Sequence, residues 1–70
     1  MENKTTDVLN LLSSRELEIA KLLACGSTNT MIAKELSISK STVKAHILSI
    51  YLKLNVKTRA QLAYIIGYKN

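Results

Sequence analysis

Seventy residues form one small domain at most, and a chain of this size hides only about 60% of its unfolded surface. Cys25 is the sole cysteine, so a disulfide is excluded, and with His46 it supplies too few soft ligands for a zinc site. An apolar content of 47% excludes disorder, no apolar run is long enough to span a bilayer, and the polar start, Met1 to Asp7, does not read as a signal peptide. The expectation is a soluble, reduced, cytoplasmic domain without metal or cofactor. The net charge of +5 is unevenly spread: residues 1–36 sum to −1, whereas residues 37–70 hold six cations and no acid. A one-sided basic half suits a polyanion, either nucleic acid or an anionic membrane surface, and is also compatible with simple solubility at a high pI.

Residues 1–8 have no hydrophobic period and read as a flexible tail, leaving 9–70 as the domain. With no proline, two glycines and short polar breaks, the chain predicts an all-α fold, a compact four-helix domain. Ser13-Ser14-Arg15-Glu16 reads S-x-x-E, a capping box that opens the first helix, with Leu12 and Leu17 placed to staple it. Ile19, Ala20, Leu22 and Leu23 form its apolar side, and Gly26 ends it. Ser27 or Thr28 caps a short second helix whose apolar side is Ile32, Ala33 and Leu36. Ser37-Ile38-Ser39 is then a tight connection, with Ile38 plugging the corner.

The third helix runs from its cap at Ser39 to about Leu54. At about 100° per residue, Val43, Ile47, Ile50 and Leu54 form one narrow apolar stripe, bordered by His46 and Tyr51. Lys44, Ala45, Leu48, Ser49 and Leu52 fall on the opposite side, with Lys40 and Ser41 at the open end. Thr58-Arg59-Ala60-Gln61 reads T-x-x-Q, a second capping box, and opens a fourth helix that Gly67 closes. An Arg59–Glu16 ion pair is expected to tie the fourth helix to the first. Cys25 reads as small and structural.

A short helix, a three-residue turn and a longer basic helix make a helix-turn-helix, in which the second helix enters the major groove. Ser39, Lys40, Ser41 and Thr42 combine hydroxyls, an ammonium and helix-end amides suited to a phosphate. Lys44 can donate to guanine O6 and N7, and Ala45 and Leu48 can touch a thymine methyl. Each lysine also has a plain reading as a solvated surface group.

Leu12-Ser13-Ser14-Arg15-Glu16, Gly26-Ser27-Thr28-Asn29, Ile32-Ala33 and the ungapped series Ile38-Ser39, Thr42-Val43-Lys44, His46, Ile50, Lys53-Leu54 and Val56 carry a further signal. Together with Arg59 they resemble the LuxR-type (FixJ/NarL-like) helix-turn-helix domain of bacterial transcription regulators, over about 50 of the 70 residues. The resemblance implies sequence-specific binding of double-stranded DNA for transcription regulation, as a homodimer on an inverted repeat, by a stand-alone regulator or a response regulator output domain. It implies base reading by Lys44, Ala45 and Leu48. Phosphate contacts would come from Asn29, Thr30, Ser41, Thr42 and His46, joined by Lys40. The fourth helix would supply much of the subunit contact; Tyr64, Ile65 and Tyr68 are more apolar surface than a domain of this size can hide and suit that contact, the plain reading being a partly exposed core edge, and RNA polymerase is a further candidate partner. Thr30-Met31 departs from the common Lys-Glu of the second helix, and Leu62 stands where alanine is usual.

No Ser/His/Asp or Cys/His set, carboxylate pair or Gly-rich phosphate loop is present, so no enzyme is expected. Two other classes compete: a protein-interaction module docking on polymerase, and a membrane-surface domain. The second is disfavoured by the lack of a Trp/Phe-rich face beside the basic residues.

Overall fold

The computed structural model describes residues 9–67, and within them the fold is four α-helices without a strand. They are α1 (Ser14–Ala24), α2 (Asn29–Leu36), α3 (Lys40–Leu54) and α4 (Arg59–Ile66). The tail expected at residues 1–8, and Tyr68, lie outside the described residues.

Each helix starts on a hydroxyl. Ser13, Thr28, Ser39 and Thr58 accept from the amides of Glu16, Met31, Thr42 and Gln61, satisfying donors that have no intrahelical carbonyl. In α1 the box is reciprocal, because the Glu16 carboxylate accepts from the Ser13 amide at 3.0 Å. In α4 it is not. The Gln61 carbonyl accepts instead from the amide of Lys57 at 2.6 Å, one residue before the cap, and so corrects the box expected there.

The helix ends share one device. At the turn between α2 and α3, Ser37 takes a left-handed conformation (φ 58), its amide reaches the Lys34 carbonyl, and the Ile38 amide reaches back to Ala33. Asn55 (φ 56) ends α3 in the same way, with Val56 bonding to Tyr51. These bonds fold the chain back sharply and aim Ile38 and Val56 inward, where both pack with the core.

The core is aliphatic. Ile19, Leu23, Ile32, Val43, Ile50 and Leu62 have essentially no exposed surface and meet where the four helices converge. α1 packs against α4 and α3, and α2 packs against α3. The apolar stripe of α3 is where its spacing puts it: Val43, Ile50 and Leu54 are buried and Ile47 packs against them half-buried. Leu62 fills the centre and is wholly buried.

Deleting that side chain removes contacts that no neighbour can replace. Leu62→Ala is expected to cost about 2–5 kcal/mol, a large part of the roughly 4–10 kcal/mol available to a domain of this length. Urea unfolding followed by circular dichroism measures it, with a parallel shift of the midpoint and unchanged slope as the result.

Candidate nucleic-acid interface

The α2–turn–α3 unit presents two helix starts and one helix side to solvent. At the first start Thr28 is the cap, Asn29 is half-buried, and Thr30 and Met31 are exposed. At the second, Ser39, Lys40, Ser41 and Thr42 are all exposed. The Ser39 hydroxyl accepts from the Thr42 amide at 3.0 Å and donates to the Thr42 hydroxyl at 2.9 Å. The amides of Lys40 and Ser41 remain at the end of the helix without an intrahelical carbonyl. Together with the positive end of the helix dipole and the Lys40 ammonium, they make a place for an anion.

Further along α3, Lys44 and Ala45 are exposed and Leu48 keeps 65% of its surface in water. Leu52, one turn on, is 77% exposed. This side runs along the helix directly opposite the buried stripe, as a two-faced helix requires. His46 lies half-buried at the border of the stripe, as does Tyr51.

Two residues depart from the simple two-sided picture. Ser49 is half-buried, not on the open side, and its hydroxyl donates to Glu16 Oε2 at 2.7 Å. Lys53, one helical turn later, places its ammonium 2.8 Å from Glu16 Oε1. The ion pair expected between Glu16 and Arg59 is therefore replaced by one between Glu16 and Lys53, and α1 is tied to α3. The physical reason is placement: α1 packs across α3 so that the Glu16 carboxylate meets Ser49 and Lys53 on one edge of that helix while still serving its own cap. Glu16 is the one buried charged residue among those described. The Lys53 ammonium, then the Ser13 amide and the Ser49 hydroxyl, hold its carboxyl well below the usual range, at about 2, against the opposing effect of burial. Only a general signal pointed to these partners: an i, i+4 pair of donors along one edge of α3, and an acid on α1 that needed a cation. Cys25, read as structural, is exposed at the end of α1.

α4 exposes Tyr64, 79% of it in water, with Ile65 half-buried beside it. Asn55, Val56, Ala60 and Gln61 join them in lining an open, mainly apolar groove. Among the described residues no helix is long and apolar enough to cross a membrane, and no group of metal-ligating side chains is drawn together.

Against this geometry stand the comparisons with known proteins. The family model for bacterial regulatory proteins of the luxR family (GerE) matches residues 10–66. The chain belongs to the luxR family. Its membership carries DNA-binding transcription regulation through a LuxR-type helix-turn-helix, a binding function and not an enzymatic one. Among curated relatives, YhjB of Escherichia coli (strain K12), named as an HTH-type transcriptional regulator, is 47% identical over 59 residues, 84% of this chain and 30% of its own length. The oxygen regulatory protein NreC of Staphylococcus carnosus (strain TM300) is 47% identical over 60 residues, 86% of this chain and 28% of its own. NreC of Staphylococcus aureus (strain JH9) is 47% identical over 58 residues, 83% of this chain and 27% of its own. The chain thus spans less than a third of the length of these relatives. No solved structure matches it.

The Glu16 contacts make stability depend on acidity with a definite sign. A carboxyl whose folded pKa lies below its unfolded one stabilises the fold above the unfolded value, and that contribution is lost as pH falls toward the folded value. The luxR-family domain is expected to lose stability between about pH 4.5 and about pH 2 relative to Glu16→Gln, whose amide does not titrate there. Urea midpoints of the two proteins at several pH values across that window should converge toward the acid end.

Proposed function

We propose that α3 lies in the major groove of double-stranded DNA and reads bases with Lys44, Ala45 and Leu48. The observation that carries this reading is the division of α3: these three side chains share its open side while Val43 and Ile50 are wholly buried behind them. A single ammonium and two apolar groups suit one guanine and the methyl groups of thymines, so sequence choice rests on few hydrogen bonds and partly on duplex shape. Asn29 and Thr30 at the start of α2, and Lys40, Ser41, Thr42 and His46 on α3, contact phosphates on either side. The exposure of Lys40 and of its neighbours at the helix end supports that role. The Thr42 hydroxyl accepts from Ser39 and so keeps its own proton free to donate to a phosphate oxygen.

The second part of the proposal is symmetry. Two copies meet through α4, with Tyr64 and Ile65 seated against the groove formed by Asn55, Val56, Ala60 and Gln61, and Tyr68 nearby in sequence. A two-fold dimer places its reading helices about 34–36 Å apart, one turn of the duplex, and so calls for an inverted repeat. The match to segments of longer regulators supports reading the unit as an output module, whose signal arrives through other parts of such a protein.

Selection of bound sites from random duplexes, followed by titration in salt, tests the reading. Lys44→Ala is expected to weaken the selected site by about 1–3 kcal/mol and to relax preference at one position. Lys40→Ala is expected to weaken all duplexes alike and to lower the salt slope by about one unit. Unchanged binding by Lys44→Ala overturns the reading face, and binding that ignores salt favours a polymerase-docking module instead.

The dimer has its own test. Tyr64→Ala is expected to reduce the advantage of a full inverted repeat over a single half-site while leaving half-site affinity within about twofold, since Tyr64 is 79% exposed and a surface substitution usually changes stability by less than about 0.5 kcal/mol. Mobility shifts on the two duplexes distinguish the outcomes.

A further inference from the structure

We infer that Glu16, buried and away from the open side of α3, is a positioning residue for DNA reading, acting through Ser49 and Lys53. This rests on the base-reading role of α3 proposed above. The aliphatic stripe of Val43, Ile47, Ile50 and Leu54 holds α3 to the body, but hydrophobic contact is non-directional and tolerates a small roll or slide of the helix. Hydrogen bonds do not tolerate it, because they weaken steeply with distance and angle. Glu16 supplies two of them to α3: Oε2 accepts from the Ser49 hydroxyl at 2.7 Å and Oε1 from the Lys53 ammonium at 2.8 Å.

The placement of these contacts gives them leverage. Ser49 and Lys53 are one turn apart along the same edge of α3, so the pair fixes both rotation about the helix axis and position along it. Ser49 adjoins Leu48 in the chain and lies one turn beyond Ala45, two of the side chains proposed to read bases. The carboxylate is itself immobilised, since Oε1 also accepts from the Ser13 amide that caps α1. A rigid route thus runs from the start of α1 to the reading edge of α3. It needs no DNA contact by Glu16, which is 6% exposed. Misplacing Lys44 by a fraction of an ångström spoils its directed donation to a base edge more than it spoils attraction to phosphate, so the effect falls on discrimination before affinity.

The test uses the 70-residue chain and compares its selected duplex with a random duplex of equal length. Ser49→Ala and Glu16→Gln are measured beside the parent, with Ser49→Thr as the variant that retains the hydroxyl. In folded protein, verified by circular dichroism and urea midpoint, Ser49→Ala and Glu16→Gln are expected to lower the ratio of selected to random affinity by about fivefold or more, with random-duplex affinity changed by less than about twofold. Ser49→Thr is expected to restore the ratio. A ratio retained in folded Ser49→Ala overturns the inference, as does a loss of binding to both duplexes in proportion to the unfolded fraction. A parent chain that prefers no duplex overturns the underlying reading, and this result is distinct from a parental preference that survives the substitutions.

Discussion

One fifteen-residue helix has to satisfy two solvents at once, and the rest of the fold follows from that constraint. α3 sends Val43, Ile50 and Leu54 into a core with Ile19, Leu23, Ile32 and Leu62, and leaves Lys44, Ala45, Leu48 and Leu52 in water. Neither side is dispensable. Without the stripe a 70-residue chain has too little apolar surface to fold, since small domains bury the least. Without the open side the helix has nothing to offer a partner. The other three helices serve mainly to enclose one side of α3 while leaving the other free, which is the economy of a luxR-family domain.

The caps and breaks of this fold could be read directly from the residues because they are local. A hydroxyl three residues before a free amide, or a polar residue where the chain must turn left-handed, acts over one helical turn and needs no knowledge of the rest. Ser13, Ser39, Thr58 and the turn at Ser37–Ser39 therefore fall where their chemistry puts them. The period of α3 was equally legible, because aliphatic residues at helical spacing have one economical place to go.

What the chain did not disclose were partners far apart in sequence. Glu16 had six cations of the basic half as possible partners, and only the packing of α1 across α3 selects Lys53 over Arg59. Ser49 carries no charge and sits by helical arithmetic near the open side, so its turn toward Glu16, 33 residues away in the chain, depends on the relative placement of two helices. Gln61 shows the same limit on a smaller scale: a box pattern specifies a side chain able to reach back, but not which of two adjacent amides it meets. Exposure at α4 was suggested by the excess of apolar residues there, whereas the groove beside Tyr64 comes from the bend at Asn55 and could not be seen without it.

The turn at Ser37 has a consequence for how this unit meets its target. Its amide and that of Ile38 are both bonded back into α2, and the Ser39 hydroxyl that follows is bonded into α3, so the elbow is held by its own local hydrogen bonds. The two helices accordingly approach a duplex as a preformed tool rather than as a segment that must organise on arrival. Little ordering entropy is then spent at encounter, which favours quick, reversible sampling of many sites over slow capture of one. A searching protein benefits from that thrift, since most of the sequence it meets is the wrong one.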